Sequence, residues 1–209
     1  MQPFTILTAA AVPLPIAKID TGMILPGRYM RRHRRPGHDY SEAFLHDVRF
    51  DENEQPRPEC ALNDAAYGTP QILLTDADFG CGSSREGAAY AVMDYGFRAL
   101  IGPSFAEIFY GNCLQNGILL VTLDEAVIHQ LWAAVRARPG SEITIDLPNQ
   151  LVIDPAGARH SFDINPLRKE RLILGQDDIS VTESHGAEIV AFEAKRRMAF
   201  PWLPITSQA

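Results

Sequence analysis

Ile72-Leu73-Leu74-Thr75-Asp76-Ala77-Asp78-Phe79-Gly80-Cys81-Gly82-Ser83-Ser84-Arg85-Glu86 is the stretch that decides the fold. A short apolar run feeds a loop of small residues, and a helix-forming segment opens at Glu86, which together read as the start of a βα unit. Backbone N–H groups at a helix start, backed by the positive end of the helix dipole, make an anion site. Arg85 adds a planar fork that matches a carboxylate in bidentate fashion. Ser83 and Ser84 set two hydroxyls in the same positive field, where a hydroxyl loses its proton more readily than in water. The pattern describes a carboxylate site with a candidate base inside it. The same residue types also build solvated loops and exposed helix starts, and the motif alone does not separate the two readings. It is not a Walker loop, which needs a Lys after the glycines, nor a nucleophile elbow, which needs a Gly two residues after the serine.

Outward from this stretch the pattern repeats. Residues 71–76 read as a strand and 86–95 as a helix that Gly96 ends. Residues 98–101 read as a second strand. Ser104 to Glu107 has the form of a capping box opening a helix toward Cys113, with Gly117 as its stop. Residues 118–123 read as a third strand, and Thr122 to Glu125 as a second capping box for a helix running to about Arg138. Strands alternating with helices predict a parallel sheet with helical crossovers. Beyond Pro139-Gly140 the segments 142–147, 150–153 and 159–164 alternate and are joined by turns, which predicts a small antiparallel patch. A short helix is expected over 165–174, and a last one over 187–197 with Ala187, Val190, Ala191 and Ala194 on one face. The apolar stretch 4–16 is interrupted by Pro13 and Pro15 and reads as an opening strand followed by an extended turn. The fold class is α/β, a parallel βαβ core with an antiparallel patch.

The composition narrows the function classes. A chain of 209 residues suffices for one domain with a substantial core, and 46% hydrophobic with 22% charged residues is the balance of an ordinary globular protein. A net charge of −7 argues against a general nucleic-acid or membrane-surface binder. No basic segment precedes the apolar start and no run is long enough for a bilayer span, so a cytoplasmic location is the expectation. Cys60, Cys81 and Cys113 are an odd number, widely separated, without a Cys-x-x-Cys pair; they read as reduced thiols, and no zinc or cluster site is expected in this chain.

With these residues in order, the chain resembles the 3-isopropylmalate dehydratase small subunit family, the swivelling domain of the aconitase superfamily. The resemblance rests on Phe79 to Glu86, followed by Asp94-Tyr95-Gly96-Phe97, Pro103 to Ala106 and Ile108 to Asn112. Ile19-Asp20-Thr21 through Pro26, Phe44 through Asn63 and Ser180 through Phe200 extend it over most of the chain. It implies a swivelling β/β/α domain over 1–209, with a substrate-specificity loop region at 27–65, the βαβ core at 71–138, and the antiparallel patch with C-terminal helices at 142–209. It also implies that Ser83 is the catalytic base, that Ser84 helps to hold it, and that Arg85 binds a substrate carboxylate. A partner large subunit would carry a [4Fe–4S] cluster and the remaining catalytic residues. The implied reaction is the isomerisation of 2-isopropylmalate and 3-isopropylmalate by dehydration and rehydration, in leucine biosynthesis.

The run Arg31-Arg32-His33-Arg34-Arg35 lies in the region where, by the resemblance, substrates are distinguished, and Arg31 and Arg32 are the candidates for a distal carboxylate. Four arginines in a polar loop otherwise make a solvated or partner-facing patch. Three residues depart from the family pattern: Gly22 in place of an aspartate, Lys18 in place of an asparagine and Gly87 in place of a histidine. They keep two alternatives open: a sister hydro-lyase on homoaconitate or a methyl-substituted malate, and a non-catalytic anion-binding subunit.

Overall fold

The computed structural model describes residues 1–31, 34 and 39–203, among which the Arg32 assignment does not fall. The chain divides into two compact units, Met1–Gly175 and Gln176–Ala209.

In the first unit, strand β1 (Ile6–Leu14) is followed by the one-turn helices α1 (Thr21–Ile24) and α2 (His46–Arg49). The alternating core follows: β2 (Ile72–Thr75), α3 (Glu86–Tyr95), β3 (Ala99–Gly102), α4 (Glu107–Gln115), β4 (Leu119–Thr122) and α5 (Glu125–Ala137). Strands β5 (Glu142–Asp146), β6 (Leu151–Ile153) and β7 (Arg159–Ser161) precede helix α6 (Pro166–Leu174). The seven strands form one sheet in the order β4-β3-β2-β1-β5-β6-β7. Pairing is parallel from β4 to β1 and antiparallel from β1 to β7, so both expected sheet types are present and β1 joins them.

The short apolar runs are strands because each buries both faces. Ile72 and Leu74, Ala99 and Ile101, Leu119 and Val121 enter one core with Leu131, Trp132 and Val135 of α5. The alternate residues Leu73, Leu100 and Leu120 enter a second core with Ala88, Ala91 and Val92 of α3 and Phe109 of α4. The two-residue period of a strand thus sorts neighbouring residues to opposite sides. Trp132 is placed by its indole N–H, which donates to the Leu74 carbonyl at 3.2 Å.

Local expectations fail where a longer-range contact competes. Pro13 does not end β1. Its C-terminal half pairs with β2 and its N-terminal half with β5, and Ala11 donates to Ser141 O on the β5 side. The two-residue period turns the Pro13 nitrogen to that same side, beyond the end of β5, where no ladder bond is lost. Ser104 does not cap α4. Its hydroxyl accepts from the Asp78 amide at 2.8 Å and donates to the Asp78 carboxylate at 3.0 Å, and the helix starts later with Ala106 as an N-cap lacking a side-chain bond. Thr122 lies inside β4, paired with Gly102, so it does not cap α5. Helix α6 does carry the expected start, with Asn165 accepting from Leu167 N and Arg168 N and Pro166 at the first position.

The second unit contains α7 (Asp178–Ser184), which the sequence pattern does not single out, and α8 (Gly186–Ala199), the expected last helix extended at both ends. Asp177 caps α7 through Ser180 N.

Candidate active site

The loop between β2 and α3 emerges from the carboxyl end of the parallel strands, where open α/β sheets bind their ligands. Its path is fixed on two sides. Along one side run residues 18–21: Lys18 N donates to Ala77 O at 2.8 Å, Gly80 N to Ile19 O at 2.8 Å and Thr21 N to Cys81 O at 2.9 Å. On the other, Phe79 N donates to Ser104 O at 3.4 Å and Ala106 N to Phe79 O at 3.1 Å. Gly80 has φ +80°, and a Cβ there would stand 2.2 Å from Phe109 Cγ, so only glycine lets the loop pass over this buried ring. Phe79 and Phe109 are both core residues in edge-to-face contact, with ring centroids 5.6 Å apart.

The loop then delivers Ser83 to Thr21. Thr21 is buried, at 2% exposure, on the first turn of α1, which Asp20 caps through bonds from Gly22 N at 2.6 Å and Met23 N at 2.8 Å. Ser83 N donates to Thr21 Oγ1 at 3.3 Å, and the two hydroxyl oxygens lie 3.1 Å apart. Thr21 has one proton to give, either to Ser83 O at 3.3 Å or to Ser83 Oγ. Directed at Oγ, it leaves that oxygen an acceptor and favours its deprotonated form. Thr21 is the functional residue that the reading of the loop misses. Its signal is the Ile19-Asp20-Thr21 segment, 62 residues earlier in the chain.

Ser83 and Ser84 are exposed, and Arg85 is half-buried as the N-cap residue of α3. No side chain caps α3, so its first N–H groups stay open to an anion beside the Arg85 guanidinium. Among the described residues no carboxylate pairs with Arg85. Gly22 explains part of its pose: a Cβ on Gly22 would stand 3.1 Å from Arg85 Nη1, so the guanidinium occupies the space a side chain would take. Gly87 is similarly close-fitting, with Leu25 Cδ2 3.0 Å from where its Cβ would be.

The arginine run divides. Arg31 is exposed and the structure draws it into no bond with the site loop, Arg32 lies outside the described residues, and Arg34 forms an ion pair with Asp94. The Arg28 guanidinium, bonded to both carboxylate oxygens of Asp47, holds that carboxyl below the ordinary range.

The thiols do not make a metal site. Cys60 and Cys113 are buried, and burial pushes both upward in pKa, which disfavours the thiolate a metal needs. Cys81 is half-exposed in the loop, its Sγ 3.5 Å from Lys18 O. Among the described residues no group of three or more His, Cys, Asp or Glu is arranged to hold a metal ion. The three thiols and the other described residues therefore do not fit an iron–sulfur cluster.

A cleft of about 660 Å³ is lined by Pro103, Thr122 and Asp124 and by Arg159, His160 and Asp163, with no residue of Gly80–Arg85 in its lining. It is bordered by residues of β4 and β7, the two outer strands, because the sheet curls until its edges share one cleft.

Comparison with known proteins places this geometry. Residues 1–126 match the Aconitase C-terminal domain model, and residues 129–166 the model described as LeuD_N. Residues 178–206 match the model for the C-terminal domain of the 3-isopropylmalate dehydratase small subunit. The 3-isopropylmalate dehydratase small subunit of Rhodospirillum centenum is 42% identical over 202 residues, covering 97% of this chain and 98% of that protein. The protein of the same description from Gluconacetobacter diazotrophicus is 44% identical, covering 97% of both chains. A crystal structure of 3-isopropylmalate dehydratase from Methanocaldococcus jannaschii superimposes with a TM-score of 0.63 at 23% identity, over 89% of this chain and 98% of that one, which supports the shared fold. The chain belongs to the 3-isopropylmalate dehydratase small subunit family, with the swivelling α/β fold of the aconitase C-terminal domain.

Proposed function

We propose that this chain is the small subunit of a heteromeric hydro-lyase that isomerises 2-isopropylmalate and 3-isopropylmalate by dehydration and rehydration, a reaction of leucine biosynthesis in the cytoplasm. The observation that carries the reading is Ser83, its hydroxyl 3.1 Å from the buried Thr21 hydroxyl, set just ahead of an uncapped helix whose first residue follows Arg85. Relatives at 42% and 44% identity, named for this activity, support it. The whole span 1–209 then serves as one swivel domain, with the specificity region at 27–65.

Each role follows from the chemistry of the substrate. A proton on the carbon next to a carboxylate is weakly acidic, and its removal requires that the developing negative charge be stabilised. Ser83 Oγ takes that proton while Thr21 donates to the same oxygen, and Ser84 helps to hold Ser83. The C–H electron pair becomes the new double bond and hydroxide departs from the adjacent carbon. Rehydration reverses these movements with the hydroxyl placed on the other carbon. Arg85 and the N–H groups of α3 bind a carboxylate and stabilise its charge. Arg31, exposed in the specificity region, is the candidate for a carboxylate distal to the Arg85 contact. The [4Fe–4S] cluster belongs to the large subunit in this reading, since the cysteines of this chain do not fit one.

The test is reconstitution. The purified chain should have no activity on 3-isopropylmalate and bind no iron, and should gain hydro-lyase activity on mixing with a cluster-bearing large subunit. Stoichiometric iron and sulfide on this chain alone, or a mixture that binds but does not turn over, would contradict the proposal.

A further inference from the structure

Asp94 lies at the end of α3 opposite the site and its side chain is only 7% exposed, a costly position for a carboxylate unless donors surround it. Three do. Arg34 Nε donates to Oδ2 at 2.9 Å, Arg34 Nη2 to Oδ1 at 2.6 Å, and the Tyr40 amide to Oδ2 at 3.0 Å. The Arg34 guanidinium also stacks over Tyr90, 4.7 Å from the ring centroid. Glu86, Tyr90 and Asp94 are four residues apart, so they share one face of α3 from its first turn, beside Arg85, to its last. Arg34 and Tyr40, both beyond Pro26, are therefore bound to the helix that begins at the carboxylate site. Arg28, earlier in the same region, grips Asp47 of α2 in bidentate fashion and lies 3.1 Å from His46 Nδ1, while His46 Nε2 faces Glu54 at 3.0 Å. Arg31 stands between the two anchors, exposed and outside both.

We propose that the Arg34–Asp94 pair is a positioning clamp that fixes the specificity loop on α3 and so sets where Arg31 stands relative to the Ser83–Arg85 site. The proposal rests on the function above. Asp94 is eight residue steps along the helix from Glu86, about 12 Å at 1.5 Å per step. Arg34 is three residue steps from Arg31, at most about 11 Å of extended chain. The anchor is thus close enough to the site to hold Arg31 at its rim. Only an arginine makes this contact, because its planar fork engages both carboxylate oxygens and stacks on a ring at once.

The experiment uses the complex with the large subunit, comparing wild type, Arg34→Gln, Arg34→Lys, Asp94→Asn and the Arg34→Gln/Asp94→Asn double variant. Activity of the wild-type complex on 3-isopropylmalate tests the function; the variants test the clamp. Arg34→Gln and Asp94→Asn should each raise KM about tenfold with kcat within about threefold, and Arg34→Lys should recover only part of the loss. The double variant should be no worse than either single one, since both remove the same contact. Amide hydrogen exchange, which does not depend on activity, should speed up at Tyr40 and through residues 28–31. Wild-type KM values with unchanged exchange, or effects of the two single changes that add in the double variant, would overturn the clamp.

Discussion

Replacing Thr21 by Val tests the least expected feature of the site. The two side chains have the same shape, so the buried position beneath the loop stays filled and only the hydroxyl is lost. Ser83 then loses the acceptor of its N–H, at 3.3 Å, and the partner of its Oγ, at 3.1 Å. Each such bond is worth about 0.5–1.5 kcal/mol net, so the Ser83 pose is weakened by about 1–3 kcal/mol. If that weakening falls wholly on the proton-transfer step, kcat drops between about fivefold and 150-fold, at about 1.4 kcal/mol per tenfold. KM should hold, because Arg85 and the start of α3 are untouched. The assay is steady-state turnover of 3-isopropylmalate by the reconstituted complex, with unfolding followed separately. Thr21→Ser, which keeps the hydroxyl, should retain most of the rate. In the Ser83→Ala background Thr21→Val should add nothing, since residues acting as a unit are not additive. A Thr21→Val complex with kcat within about twofold of wild type would refute the role given to this hydroxyl.

Two further outcomes follow from the geometry. Gly22→Ala would place a Cβ 3.1 Å from Arg85 Nη1 and 3.0 Å from Asp20 Oδ1; Asp20 is held by two amides, so the guanidinium gives way, and KM should rise about threefold to tenfold with little change in kcat, whereas an unchanged KM would show that the Arg85 pose does not matter. Asp47 is held below the ordinary carboxylate value by its bond to Arg28, so its contribution to stability is present above about pH 4 and is lost as the pH falls through the lowered value. Both partners are more than half exposed, at 51% and 58%, so the pair contributes at most about 1 kcal/mol. Asp47→Asn should lower the unfolding temperature by no more than about 2–4 °C near neutrality, with the gap closing in acid; a gap that persists in acid would contradict the ion-pair origin.

What the sequence discloses, and what it does not, follows the range of the interactions. Strands β2, β3 and β4 are legible because every residue of Ile72–Leu74, Ala99–Ile101 and Leu119–Val121 is buried, which leaves a continuous apolar run. Helix α3 is legible to the residue because it lies between the small-residue loop and Gly96, whose φ of +112° stops it. The capping boxes mislead because Ser104 finds Asp78, 26 residues away, and Thr122 is claimed by the β4 ladder. Helix α1 leaves no pattern, since its single turn is made by the Asp20 cap and the Thr21–Ser83 contact. The motif Gly82-Ser83-Ser84-Arg85 points to the site from local chemistry alone. Thr21 and the Asp94 end of the loop contact become visible only when distant segments are brought together.

The central claim is that Ser83 is the proton-abstracting base of a site completed by a large subunit. It is tested most directly by kcat and KM of the reconstituted complex carrying Ser83→Ala, with 3-isopropylmalate as substrate. The account predicts that kcat falls by about 10²-fold or more, that KM stays within a few-fold because the Arg85 contacts remain, and that assembly with the large subunit is unaffected. Wild-type turnover in the Ser83→Ala complex would contradict it.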